Sequence, residues 1–213
     1  MARRLPVYLV LDTSGSMTGE PIAAVENGVQ LLTSTLRTDP HALETAYLSV
    51  ITFSEHAQQI APLTDLSSFQ PPSLTASGTT SLGEALSLTA DCIEREVQKS
   101  GADVKGDWKP LVFIMTDGQP TDTWQNGLSA FKNAKTALVI ACAAGTDADE
   151  SVLKQITDNV VRLDTADSAS IAAFFKWVSA SVSTSSKRVE MEKTESSNDL
   201  QELPPPPPEI SLV

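Results

Sequence analysis

The most constraining feature of the chain is the stretch 5–16, LPVYLVLDTSGS, in which an unbroken apolar run ends at an aspartate. The run lacks polar alternation, so it predicts a parallel strand that is covered on both faces. Asp12, Ser14 and Ser16 follow at its carboxyl end, spaced two apart around the flexible Gly15. A tight loop would turn one carboxylate and two hydroxyls toward one point. Such hard oxygen donors, without a nearby thiolate or imidazole, favour Mg²⁺, Ca²⁺ or Mn²⁺ over zinc or copper.

Two later stretches favour this metal interpretation over the alternative that the loop is an ordinary turn or helix cap. GTTS at 78–81 precedes the helical pattern of 82–97, and a second apolar run at 111–115 ends in TDG at 116–118. In an open α/β sheet, ligands bind beyond the carboxyl ends of the strands. We therefore expect the three oxygen-rich loops to meet there.

Together these loops resemble the von Willebrand factor A (vWA) domain and its metal-ion-dependent adhesion site (MIDAS). The resemblance rests on DTSGS at 12–16, GTTSLGEAL at 78–86 and TDG at 116–118, and it covers roughly residues 5–184. It implies that Ser14 and Ser16 bind the ion directly. The resemblance also implies that Thr80 is the third direct ligand, with Thr79 the less favoured neighbour. Asp12 and Asp117 would act mainly through water.

The rest of the pattern predicts a single doubly wound, Rossmann-like α/β domain with helices on both faces of a mostly parallel sheet. A short turn at 54–56 joins two strands, which predicts one antiparallel strand at the sheet edge. His41 and His56 are interpreted as loop residues. The predicted strands are 5–11, 45–53, 57–63, 111–115, 136–144 and 160–163, and the principal helices begin at Glu20, Leu82, Thr123, Asp149 and Ser168.

Composition changes after the last predicted helix, which we expect to end near Ser183. The domain is assigned to residues 1–184, and 185–213 is predicted to be a disordered, acidic, proline-rich tail. Its five consecutive prolines, Pro204 to Pro208, suit a spacer or a polyproline docking motif.

The formal charge of −12 argues against nonspecific binding to nucleic acid or to an anionic membrane surface. The apolar start is too short for a signal peptide, and no run reaches the ~20 residues that cross a bilayer. Cys92 and Cys142 lack zinc-ligand spacing, and they are expected to be reduced core thiols in a cytoplasmic protein. A single long-range disulfide between them stays open.

Three residues near the metal loops are candidates for a partner-binding rim: Thr79, Asp122 and Trp124. For Asp122 and Trp124 the alternative is a structural role, as a cap and a packing residue for the helix 123–134.

The expected function follows from the ligands. Because hydroxyls would hold the divalent cation, Mg²⁺ foremost and Mn²⁺ or Ca²⁺ as alternatives, an open position remains for a carboxylate from another protein. Within the family, the chain most resembles the A-domain proteins of bacterial tellurium-resistance operons. That resemblance implies a partner in a tellurite or chemical-stress system, such as a PP2C-type phosphatase or a protein kinase.

Two other functions remain open. In the first, Asp12 is the nucleophile of a metal-dependent phosphotransferase or hydrolase. The chain has no G-x-x-x-x-G-K-[ST] phosphate loop and no histidine close in sequence to Ser14 or Ser16, so we do not expect an enzyme. In the second, the metal is structural and binding occurs through the tail.

Overall fold

The computed structural model describes residues 3–101, 105–191 and 203–213. Seven strands and six α-helices make up most of this part of the chain. The strands are β1 Leu5–Asp12, β2 Ala46–Phe53, β3 Ala57–Asp65, β4 Leu111–Thr116, β5 Leu138–Ala144, β6 Val160–Leu163 and β7 Ile210–Leu212. The helices are α1 Glu20–Arg37, α2 Pro40–Thr45, α3 Leu82–Glu96, α4 Trp124–Asn133, α5 Glu150–Ile156 and α6 Ser168–Met191.

The strands form one sheet in the order β3-β2-β1-β4-β5-β6-β7. The five inner strands are parallel, whereas β3 and β7 run antiparallel to their neighbours. The doubly wound α/β fold and the antiparallel edge strand β3 are thereby confirmed. The second antiparallel edge, β7, was not predicted.

Helices cover both faces of the sheet, so β1 is buried along its whole length. Val7, Leu9 and Leu11 face a core that is closed by α1 and α6. Tyr8 and Val10 face the opposite core, which is closed by α3, α4 and α5. This two-sided burial explains why the sequence of β1 has no polar alternation.

The predicted disordered tail is wrong for the residues that the structure describes. Helix α6 continues to Met191, beyond the proposed boundary at 184. The end of the chain then returns to the sheet, where β7 pairs with β6 and Ile210 is buried. Trp177 Nε1 also donates a hydrogen bond of 2.7 Å to the carbonyl of Pro204. The free edge of β6, the burial of Ile210 and the hydrogen bond from Trp177 supply the order that the composition did not indicate. Residues 192–202 lie outside the described part.

A short helix, α2, stands where the sequence predicted a loop around His41. Its start is fixed by Asp39, whose carboxylate accepts a 3.0 Å hydrogen bond from the backbone N–H of His41. Pro40 occupies the first helical turn, where its missing N–H costs nothing. Six residues are too few to show helical periodicity. The capping residue Asp39 and the proline after it were the only sequence signals for this helix.

Strand register brings the oxygen-rich loops together. Asp12 pairs with Phe53 at the end of β2, and Leu11 pairs with Met115 near the end of β4. The carboxyl ends of β1 and β4 therefore lie side by side, and the loops that leave them start from the same edge of the sheet.

Candidate metal centre

Asp12 anchors the first loop from within the protein. One carboxylate oxygen accepts a hydrogen bond of 2.8 Å from the backbone N–H of Ser14. The other accepts one of 2.5 Å from the hydroxyl of Thr116, at the end of β4. The side chain is almost fully buried, with 1% of the residue exposed. Asp12 thus joins two of the three loops, and both of its oxygens already have a protein partner.

Three further oxygens form a chain of contacts across the same two loops. The hydroxyls of Ser14 and Ser16 lie 3.0 Å apart. The Ser16 hydroxyl donates a hydrogen bond of 2.7 Å to Asp117. Residues that are more than 100 positions apart in the sequence therefore bring their oxygens to one point, as the metal hypothesis requires.

Thr80 brings the second loop to this point. A methyl group built on Gly118 would lie 3.8 Å from the Thr80 hydroxyl and 3.9 Å from the Ser16 hydroxyl. Both hydroxyls consequently border the small space above Gly118. Thr80 is buried, whereas its neighbour Thr79 is exposed.

Backbone hydrogen bonds hold the three loops in place. The N–H of Gly15 donates to the carbonyl of Gly78 over 2.9 Å, which ties the first loop to the second. Gly78 has a φ of +74°, a conformation that favours glycine. The second and third loops are tied by Thr80 and Thr121, whose N–H groups donate respectively to the Thr121 hydroxyl at 3.0 Å and the Thr80 carbonyl at 2.9 Å.

These ties include residues that sequence reasoning did not assign. Thr116 belongs to the TDG motif, but nothing in the sequence indicated that its hydroxyl would bind Asp12. The sequence did not indicate that Thr121 would bond Thr80, because the two residues are far apart in the chain.

The candidate rim residues differ in exposure. Asp122 accepts hydrogen bonds from the N–H groups of Gly83, at 3.2 Å, and Glu84, at 3.1 Å. Asp122 therefore caps the start of α3. It was expected, as one alternative, to cap the helix that follows it in the chain, and that alternative is wrong. Trp124 is half-buried and packs against the core beneath α3 and α4. Thr79 is the exposed member of the three.

The centre carries negative charge in a poorly solvated place. Burial raises the pKa of Asp12 above its ordinary value, although hydrogen bonds from Ser14 and Thr116 act in the opposite direction. Burial also raises the pKa of Asp117, and the charge of Asp147 adds to that shift. A cation beside both carboxylates would oppose these shifts by stabilising the charged forms.

The residues present fit a hard divalent cation. The donors are three hydroxyls and two carboxylates, all oxygen, around the space that Gly118 leaves open. Within the described residues, no group of three or more histidine, cysteine, aspartate or glutamate side chains forms a metal site. Any cation held here would therefore depend on the serine and threonine hydroxyls.

Comparison with known proteins agrees with this architecture. The family model described as von Willebrand factor type A domain matches residues 7–176. The chain belongs to the von Willebrand factor type A family. No curated protein matches the chain.

Several solved structures share the fold at low sequence identity. The von Willebrand factor type A protein from Catenulispora acidiphila is 19% identical, with a TM-score of 0.62 over 86% of this chain and 44% of its own. The pilus adhesin SpaC from Lactobacillus rhamnosus GG is 15% identical, with a TM-score of 0.67 over 86% and 31%. Proximal thread matrix protein 1 from the mussel byssus, solved with a zinc-occupied MIDAS motif, is 18% identical, with a TM-score of 0.58 over 87% and 46%. The chain thus spans less than half the length of each.

Two further observations concern the described part of the vWA chain as a whole. Within residues 3–101, 105–191 and 203–213, no helix has both the length and the hydropathy that a membrane span requires. Cys92 and Cys142 are both buried and unpaired, and they face opposite cores of the sheet.

Proposed function

We propose that this vWA domain is a protein-binding module that uses a divalent cation to recognise an acidic residue of a partner. The observation that carries the proposal is the convergence of five side-chain oxygen donors at the carboxyl ends of β1 and β4. The five residues are Asp12, Ser14, Ser16, Thr80 and Asp117.

The internal bonds of Asp12 support a division of roles. Because both its oxygens accept protein hydrogen bonds, Asp12 is suited to orient the loop. Its negative charge would balance the charge of the cation without direct contact. Ser14, Ser16 and Thr80 are suited to direct contact through neutral hydroxyls. A cation held in this way keeps an electrophilic position for a partner's carboxylate.

We propose Mg²⁺ as the cation, with Mn²⁺ or Ca²⁺ as alternatives, because all five donors are hard oxygens. The zinc-occupied MIDAS motif in the mussel protein adds zinc to the cations that should be tested.

At a finer level we propose that the partner belongs to a tellurite or chemical-stress system in the cytoplasm. The support is the resemblance of DTSGSM and GTTSLGEAL to TerY, the A-domain protein of tellurium-resistance operons. A PP2C-type phosphatase or a protein kinase would then be the first candidate partner.

Binding is favoured over catalysis by the position of Asp12. A nucleophilic carboxylate must reach its substrate, but Asp12 is almost fully buried and both oxygens are engaged. Turnover of a generic phosphate ester with Mg²⁺, abolished by Asp12→Asn, would reverse this choice.

The test is capture of partners from lysate by the wild-type chain with Mg²⁺, with EDTA, and with Ser14→Ala. Asp158→Ala is a matched control, since Asp158 is exposed and precedes β6 at the opposite end of the sheet. We expect a partner that is retained by wild type and by Asp158→Ala with Mg²⁺, and lost in the other two conditions. A partner retained in all conditions would move binding away from the metal loops and leave the cation a structural role.

A further inference from the structure

The last residues of the chain, 203–213, occupy a site on the rest of the domain, and we call them the C-terminal segment. Within it, β7 pairs antiparallel with β6, so that Ser211 lies opposite Arg162. The N–H of Val213 also donates a hydrogen bond of 3.1 Å to the carbonyl of Val160. Without the C-terminal segment, β6 would be the outer strand of the sheet, and its outward N–H and carbonyl groups would lack a strand partner.

Helix α6 supplies the second part of this site. The indole N–H of Trp177 donates its hydrogen bond to the carbonyl of Pro204, at the start of the proline run. Leu203 and Ile210 pack against the core that α6 helps to close. Aromatic-lined grooves and exposed strand edges are two common docking sites for extended peptides. The site combines both, since Trp177 binds the proline stretch and β6 pairs with the residues after it.

The site and its occupant are separate parts of the chain. The site consists of β6 and Trp177, whereas the occupant follows α6 in sequence. Three features define the occupant: a carbonyl at Pro204, an apolar side chain six positions later that is buried as Ile210 is, and an extended backbone around Ser211. A second copy of the chain carries the same ligand, and its own site is identical.

The C-terminal segment is held by few contacts. Strand β7 is three residues long, and only its first residue, Ile210, is buried. Leu212 and Val213 are 58% and 41% exposed. Parts of a protein with little buried apolar surface open locally at a lower free-energy cost than core strands do. We therefore expect the C-terminal segment to leave its site more readily than any inner strand leaves the sheet.

The connection to the C-terminal segment is longer than its own site requires. Helix α6 ends at Met191, and Trp177 lies about four turns earlier, about 21 Å along the helix axis. Pro204, which contacts Trp177, is joined to Met191 by residues 192–203. A chain of this length can extend to about 40 Å. The excess is enough to reach the same site on a second copy nearby.

We propose that the C-terminal segment is exchanged between two copies of this chain, so that Pro204 and β7 of each copy dock on Trp177 and β6 of the other. Such an exchange is symmetric and fills both sites, so no contact of the single chain is lost. A copy's own segment competes at an effective concentration of about a millimolar, and exchange should therefore appear near that protein concentration. This inference does not use the metal centre and does not depend on the proposed function.

The test is a cross-link between two full-length variants, Arg162→Cys and Ser211→Cys. The two positions face each other across β6 and β7. Opposed residues of antiparallel strands have Cα atoms about 4.5–5.5 Å apart, a separation that a disulfide can bridge. Cys92 and Cys142 are buried, so they should not react in the folded protein. The variants are mixed at about 1 mM in EDTA, equilibrated and oxidised, and the products are identified by mass spectrometry.

Two controls accompany this mixture. In the first, Asp158→Cys replaces Arg162→Cys, because Asp158 is exposed but precedes β6 and lies outside its register with β7. It measures disulfides that form by chance collision. In the second, Arg162→Cys and Ser211→Cys are combined in one chain and oxidised at micromolar concentration. An intrachain disulfide there verifies that the paired positions can bond.

We expect the mixture of Arg162→Cys and Ser211→Cys to give a disulfide-linked dimer of one chain of each variant. Its yield should exceed that of the Asp158→Cys mixture by about tenfold or more, because thiols held in register react far faster than thiols on colliding chains. The combined variant should close its intrachain disulfide.

Equal yields from the two mixtures, with the intrachain disulfide formed, would show that the segment stays in its own chain and would overturn the inference. A combined variant that does not close would overturn it as well, because the segment would then not occupy the edge of β6. All arms contain EDTA, so neither result bears on the metal-dependent module.

Discussion

Two polar clusters near opposite ends of β1 compensate buried charge in different ways. The metal-loop cluster comprises Asp12, Ser14, Ser16, Thr80 and Asp117. The amino-end cluster comprises Arg4, Tyr8, Gln59, Glu96 and Asp107. Both place two carboxylates in poorly solvated positions, but only the amino-end cluster contains a cation of its own.

In the amino-end cluster the charges are satisfied internally. Arg4 Nε donates a 2.7 Å hydrogen bond to Asp107, and the N–H of Gln98 donates one of 2.8 Å to the same carboxylate. Glu96 accepts hydrogen bonds of 3.0 Å from the Tyr8 hydroxyl and 2.9 Å from Gln59. This cluster ties β1 to the chain around α3, and its carboxylates are bonded by groups of the protein without a bound ion.

The metal-loop cluster is incomplete by comparison. Its carboxylates are bonded by hydroxyl and N–H groups, and among the described ion pairs none reaches Asp12 or Asp117. The difference supports the proposal that the amino end stabilises the fold and the carboxyl end takes a cation from solution. Substitutions at the two ends should therefore differ in what they change.

The largest effect on stability is expected from Asp107→Ala. The Asp107 side chain is only 3% exposed, and its loss leaves Arg4, at 23%, without its carboxylate. Breaking such a pair should lower the free energy of unfolding by about 3 kcal/mol, measured by urea denaturation. The melting-temperature increase produced by Mg²⁺ should persist. A loss below about 1 kcal/mol would show that the amino-end cluster is not a stabilising device.

Tyr8→Phe should have a smaller effect, about 1 kcal/mol, because it removes one hydrogen bond to Glu96. Burial, followed by the charge of Glu96, raises the pKa of Tyr8 above its ordinary value. The folded state thus holds the phenolic proton more tightly than the unfolded chain does. The free energy of unfolding should consequently fall as the pH rises above about 10, the ordinary value for tyrosine.

Comparison with Tyr8→Phe isolates this alkaline effect. Urea denaturation across the alkaline range should give a steeper loss for wild type than for the variant. Parallel slopes would exclude Tyr8 as the source.

The smallest effect on stability is expected from Ser16→Ala. Ser16 is exposed, so losing its bond to Asp117 should change the free energy of unfolding by about 0.5 kcal/mol or less. Its contribution to cation binding should nevertheless be lost. A thermal melt with and without Mg²⁺ measures both quantities. A large loss of stability in EDTA, with the Mg²⁺ response intact, would show that the metal-loop cluster stabilises the fold as the amino-end cluster does.

The sequence was sufficient to predict the parallel strands and the meeting of the oxygen-rich loops that follow them, because both depend on short-range signals. The apolar runs that end at Asp12 and Thr116 mark buried strands, and parallel strands bring their carboxyl ends to one edge. The ties between loops were not predictable, because Gly15 and Gly78, like Thr80 and Thr121, meet only in the folded chain.

The errors have the same origin. Residues Ile210–Leu212 follow five prolines and show no periodicity, so β7 exists only because β6 offers an unpaired edge. Asp122 was expected to cap the helix next to it in sequence, but the close packing of Gly127 against Gly83 brings the start of α3 within reach of its carboxylate. Long-range pairing decided both outcomes.

The most direct test of the account is calorimetric titration of Mg²⁺ into wild type, Asp12→Asn and Asp107→Ala, with Mn²⁺, Ca²⁺ and Zn²⁺ in parallel. We predict one cation bound per chain for wild type and for Asp107→Ala, and none for Asp12→Asn. At a cation concentration of about 100 times Kd, binding should stabilise wild type by about 2.7 kcal/mol. Equal binding by Asp12→Asn and wild type, or no binding by wild type to any of the four ions, would contradict the assignment of the metal-loop cluster as a site completed by a cation from solution.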